Sequence, residues 1–152
     1  MENFTSEVKI AQAPQQTVYG FLEDCRNIER FRERLGDAPL SEEQRSRIEN
    51  ARFDRDTITI DAPGIGTVTL QITEREEPKL LRLRGVGVPI DIEAVIQLLP
   101  LQEDEGKTRL RVTLKAKLNP FIRAMVGGKL RDAADQMATQ LASIPYNTMT
   151  NG

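Results

Sequence analysis

One side of the opening segment "FTSEVKIA" carries Phe4, Ser6, Val8 and Ile10, and the other carries Thr5, Glu7 and Lys9. A period of two predicts a strand with one buried face. Gln12-Ala13-Pro14 ends it, with Pro14 as the first residue of a helix. Val18, Phe21, Leu22 and Cys25 then recur at helical spacing. A second short helix is expected after Asn27, with Ile28, Phe31 and Leu35 turned inward and Gly36 as its stop.

"GDAPLSEEQRSR" is polar and aperiodic and reads as a loop. From Ile48 onward the period returns to two. Strands are expected over Arg47–Asp54, Thr57–Ala62, Gly66–Glu76, Lys79–Val86, Ile90–Leu101 and Thr108–Leu118. The breaks "DRD", "PG", "EEP", "GVP" and "EDEG" are turn chemistry, and connections this short join antiparallel neighbours into a meander. In the last strand Leu110, Val112, Leu114, Ala116 and Leu118 share one face, opposite Arg109, Arg111, Thr113, Lys115 and Lys117.

Asn119 as N-cap and Pro120 after it open a long helix. Ile122, Val126, Leu130, Ala133, Met137, Leu141 and Ile144 form its apolar stripe. About 24 residues at 1.5 Å each span roughly 36 Å, enough to cross a sheet. Gly127 and Gly128 interrupt it, although glycine costs a helix interior up to ~1 kcal/mol against alanine. Two readings stay open. The pair lets the helix backbone pass close to the sheet, or it forms a soft gap at the mouth of a cavity.

An antiparallel sheet with one apolar face must bury it, and the C-terminal helix is the element long enough to do so. The expected fold is α+β: a helix-grip, with a seven-stranded curved antiparallel sheet wrapped around the long C-terminal helix and two short helices after the first strand. One domain over residues 1–152 is expected, with its core at about 4–145.

Composition narrows the chemistry. Net charge is -2, so no global basic field draws in nucleic acid or anionic lipid. The seven Arg between Arg26 and Arg52 are interleaved with six acids. The N-terminus has no apolar signal core and no stretch approaches membrane-helix length. With Cys25 the single cysteine, the expected location is the cytoplasm. Histidine is absent, which removes His-based acid/base work, His-activated nucleophiles and His metal sites. No catalytic residue, no metal and no cofactor is expected. Asp91 and Glu93 share a strand face opposite Ile92, Ala94, Ile96 and Leu98, so they point to water with Arg82, Arg84, Lys115 and Lys117 as outer-face partners. The Gly-x-Gly pairs in "DAPGIG" and "GVGVP" open no helix and read as hairpin turns.

The opening strand running into "APQQTVYGFLEDCRNIERF", the six-strand meander and "KLNPFIRAMVGGKLRDAADQMATQLA" together resemble the SRPBCC, or START-like, superfamily, whose members share the helix-grip fold of the birch-pollen allergen. The last segment is similar to the closing helix of a bacterial subgroup. The resemblance covers about residues 4–145 and implies binding of lipids, hormones or polyketides, or cyclase and aromatase activity. The lack of His and Trp weighs against cyclisation.

The function expected is non-catalytic binding of a small apolar or amphipathic ligand between sheet and C-terminal helix. Phe21, Phe31, Phe53, Leu70, Leu83 and Ile92 are candidate lining residues. So are Ile96, Val112, Phe121, Met125, Val126 and Met137. Arg123, Gly127, Gly128 and Lys129 are the candidate rim, the two cations serving an acidic head group. A small hydrophobic ligand is the expected partner, with no nucleic acid and no membrane insertion, on a monomer or weak homodimer. The alternatives are a protein-interaction module with a filled core, and a cyclase/aromatase-like enzyme using a buried carboxylate or Tyr19.

Overall fold

A computed structural model describes residues 2–29, 51–62, 66–86 and 91–149. Its order is β1 (Glu2–Thr5), β2 (Lys9–Ala11), α1 (Gln15–Leu22), β3 (Arg52–Phe53), β4 (Thr57–Ala62), β5 (Gly66–Glu76), β6 (Leu80–Val86), β7 (Ile92–Leu101), β8 (Asp104–Ala116), α2 (Pro120–Ala142) and α3 (Tyr146–Met149). Residues 26–29 are also helical. Phe31, Leu35, the "GDAPLSEEQRSR" loop and the start of the strand expected from Arg47 lie outside the described residues.

The strands form one antiparallel sheet in the order β1-β8-β7-β6-β5-β4-β3, with β2 also paired to β8. The meander therefore runs from β3 to β8, and the chain's first strands close beside its last. This is the α+β helix-grip architecture. The strand count is eight rather than seven because the opening segment is split.

The split corrects the expected face of that segment. Phe4 pairs with Leu114 and Thr5 with Thr113, but Lys9 pairs with Leu110 and Ile10 with Arg109. Glu7 and Val8 together stand opposite Arg111, the two-against-one count of a β-bulge. A one-residue slip exchanges the faces of a strand. Val8 and Ile10 consequently turn to solvent, while Lys9 and Ala11 join the concave side opposite Leu110 and the buried Thr108.

The concave face supplies Val68, Leu70, Ile72, Leu81, Leu83, Ile92, Ala94, Ile96 and Leu98 to the core, joined by Leu110, Val112, Leu114 and Ala116 of β8. α1 closes one end with Val18, Tyr19, Phe21 and Leu22. Pro14 caps this helix in extended conformation (φ -61°, ψ 152°) instead of standing inside it. The Gln15 side-chain amide donates to the Leu98 carbonyl (2.9 Å) and the Thr108 hydroxyl to the Ala13 carbonyl (2.7 Å). Both bonds satisfy backbone groups where the helix meets the strand ends.

α2 starts as expected: the Asn119 side chain accepts from the Ile122 amide at 2.8 Å, with Pro120 next. It lies closest over β8, with β1 and β2 beside it. Its most deeply buried residues are Leu130, Ala134 and Ala138, and Ile122, Ala133, Met137 and Leu141 flank them half-buried. One hairpin also differs from expectation. "EDEG" is strand from Asp104 on, and the turn is Gln102-Glu103, with Leu101 opposite Asp104. The β5–β6 turn holds a cis Glu77–Pro78 bond.

Candidate functional site

Between β1 and the N-terminal half of α2 lies an open groove of about 570 Å³. Asn3, Phe4 and Thr5 line it from the strand, and Arg123, Gly127, Gly128 and Arg131 from the helix. The volume is within the range of small-molecule sites. Arg123, Gly127 and Arg131 follow one another at four-residue spacing, so one row of the helix faces the strand. Phe4 is half-buried against the core and forms the apolar floor.

The glycines make the gap. A Cβ added to Gly128 would meet no atom within 4 Å, and one added to Gly127 would meet only the Arg123 Cγ at 3.7 Å. Close helix–sheet packing is therefore not what they serve. They leave bare backbone where side chains would otherwise fill the space.

The charges are arranged unevenly. Arg123 Nε lies 3.2 Å from the Glu2 carboxylate at one end of the groove. Toward the other end, Lys9 Nζ is 3.6 Å from Asp135 and 3.8 Å from Glu7, and the Glu7 amide donates to Asp135 at 3.3 Å. Arg131, one turn before Asp135, has no carboxylate within ion-pair distance among the described residues. The lining itself holds no carboxylate; it brings together two arginines, the two glycines and an aromatic residue.

Of the expected rim, Arg123, Gly127 and Gly128 come together here. Lys129 is exposed and outside the groove. The expected apolar lining lies elsewhere. Leu70, Leu83, Ile92, Ile96 and Val112 are buried in the core, Met137 packs against it, and Phe53 is half-buried on β3. Phe21 meets Tyr146 edge-on, ring centroids 5.2 Å apart at 87°. Phe121 and Met125 correct the expectation: they are 74% and 61% exposed. They point away from the sheet because the helix buries the face of Leu130 and Ala134, and their positions fall on the opposite side at 100° per residue. Val126 is part of α2, and its side chain lies outside the described residues. Asn3, Phe4, Thr5 and Arg131 were missing from the expected site. The signal that could have found them is pairing of the first strand with the last, beside the glycines.

Tyr19 is buried, and burial followed by the charges of Glu23 and Glu77 raises its pKa. It does not line the groove. Burial pushes the Cys25 thiol up to about 12, with Asp24 adding to it. As expected, Glu93 is on the outer face, 3.9 Å from Arg82. Among the described residues no group of three or more Cys, Asp or Glu is placed to hold a metal, and no helix is long and apolar enough to cross a membrane.

The model of the family described as polyketide cyclase / dehydrase and lipid transport matches residues 1–142. The chain belongs to this family. Among curated proteins none is similar in sequence. Solved structures share the fold at low identity. Truncated norcoclaurine synthase from Thalictrum flavum superposes with a TM-score of 0.65 at 8% identity, over 93% of this chain and 91% of that one. A Thermobifida fusca protein gives 0.61 at 16%, over 98% and 95%. A START superfamily protein from Mycobacterium smegmatis gives 0.53 at 12%, over 91% and 96%. For this member of the polyketide cyclase / dehydrase and lipid transport family, those likenesses establish the START-like fold.

Proposed function

We propose that the protein binds a small apolar or amphipathic molecule between its sheet and its C-terminal helix, without chemistry on it. The observation that carries this is the groove that Gly127 and Gly128 hold open against Phe4. The lipid-transport part of the family description supports it. Affinity would come mainly from burial of apolar ligand surface, at about 25 cal/mol per Å².

Native mass spectrometry of protein purified from its host, before and after denaturation, tests the reading. An extra mass lost on denaturation is expected. A mass that stays bare, and remains so after incubation with decanol and aromatic lipids, would count against it.

A second reading, a protein-interaction module, is favoured by the exposed Phe121 and Met125 on the outer side of α2. Large exposed apolar side chains in contact with one another mark partner surfaces. Under that reading no small molecule co-purifies, and replacing both by Ser abolishes partner binding.

A further inference from the structure

We propose that the groove selects an amphipath with an anionic head, a carboxylate or a phosphate monoester, and that Arg131 receives the charge. The proposal rests on the binding reading above and adds the ligand's class to it.

Three observations converge. Residues 106–131 contain eight of the chain's 21 Lys and Arg and none of its 23 acids, so an acidic protein carries one acid-free basic segment. That segment supplies the helix wall of the groove, and two of its cationic residues, Arg123 and Arg131, line the same gap. Their availability differs. Glu2 holds Arg123 at 3.2 Å. Asp135, the acid one turn beyond Arg131, is taken by Lys9 and by the Glu7 amide. Arg131, an exposed residue at the groove, is thus left with a planar fork of donors and no carboxylate within ion-pair distance among the described residues.

The rest of the groove fits the remainder of such a molecule. Between the two arginines the helix shows only the backbone of Gly127 and Gly128, and across from them stands the Phe4 ring. An alkyl or aromatic body lies in this channel with its head at Arg131. Arg123 already has a carboxylate partner in Glu2.

The test compares decanoate, decyl phosphate and decanol by calorimetric titration of the full chain, with Arg131→Gln and Arg131→Lys beside it. The two anions are expected to bind about tenfold tighter than the alcohol, the worth of one charge-assisted contact of ~1.4 kcal/mol. Arg131→Gln should remove that gap, weakening the two anions about tenfold more than decanol, and Arg131→Lys should restore part of it. The order of decanoate and decyl phosphate tells which head group the site prefers. Equal affinity of all three for the native chain would overturn the anion assignment and leave the binding reading standing. A gap that survives in Arg131→Gln would overturn the role of Arg131. No binding of any of the three would overturn both.

Discussion

Ser6 satisfies both backbone groups of Val112. Its amide donates to the Val112 carbonyl at 2.8 Å, and its hydroxyl oxygen accepts from the Val112 amide at 3.0 Å. The hydroxyl replaces a strand carbonyl where the bulge turns the backbone away, and Ser6 is buried in doing so. Ser6→Ala should leave the Val112 amide buried without an acceptor and cost about 1–3 kcal/mol. Urea denaturation of the two proteins measures it. An unchanged midpoint would mean that water or another group takes the hydroxyl's place.

Gly128→Ala should stabilise the protein by up to ~1 kcal/mol, because helix propensity improves and the new methyl meets open space. Ligand binding should persist. Gly128→Phe should keep the fold and block the groove, so its far-UV circular dichroism should match the native chain while retention of any co-purified mass is lost. Equal retention by both variants would place the ligand elsewhere.

Cys25 should resist thiol reagents near neutrality, since its thiol is held protonated up to about 12 by burial. The sign of the linked stability follows. The folded state keeps its proton above the ordinary value of 9.0, where the unfolded chain releases it. The contribution is therefore full below about 9 and is lost as pH rises from there towards about 12. Cys25→Ala should flatten that alkaline fall in denaturation midpoint, and a fall of equal steepness in the variant would assign it to other groups.

Two phenylalanines should behave oppositely. Phe121→Ala, on an exposed helix face, should change stability by about 0.5 kcal/mol or less. Phe21→Ala, in the core and edge-on to Tyr146, should cost about 3–5 kcal/mol. Thermal unfolding of both variants checks the pair, and a large loss at Phe121 would reveal a burial of that ring in solution.

The regular parts of the fold were readable because their periods are uninterrupted. Thr57–Ala62 and Gly66–Glu76 have the bounds that alternation predicts, and Asn119-Pro120 marks the start of α2. The misses have physical causes. "FTSEVKIA" alternates without a fault, yet the bulge after Ser6 inserts a residue that no pattern of polarity records. In α2 a stripe drawn through the large aliphatics misses its own centre, since the fully buried positions are Ala134 and Ala138, whose small side chains mark no stripe. The groove was half visible. Gly127 and Gly128 flagged it, but its strand wall depends on pairing β1 with β8, a contact more than a hundred residues apart in sequence.

The bulge has a consequence for the life of the protein among its own copies. A strand at the rim of a sheet presents unpaired amides and carbonyls on which another chain can add itself. The rim formed by β1 and β2 is broken by Glu7 and Val8, and Lys9 points a charge inward next to Asp135. Bulges and inward charges are what blunt such rims against edge-to-edge aggregation. A groove that opens beside a rim strand needs that protection, because whatever keeps it accessible to a small molecule also leaves it accessible to a neighbour's backbone. Removing one residue from the bulge would regularise the strand, and the first symptom would be precipitation before any loss of fold.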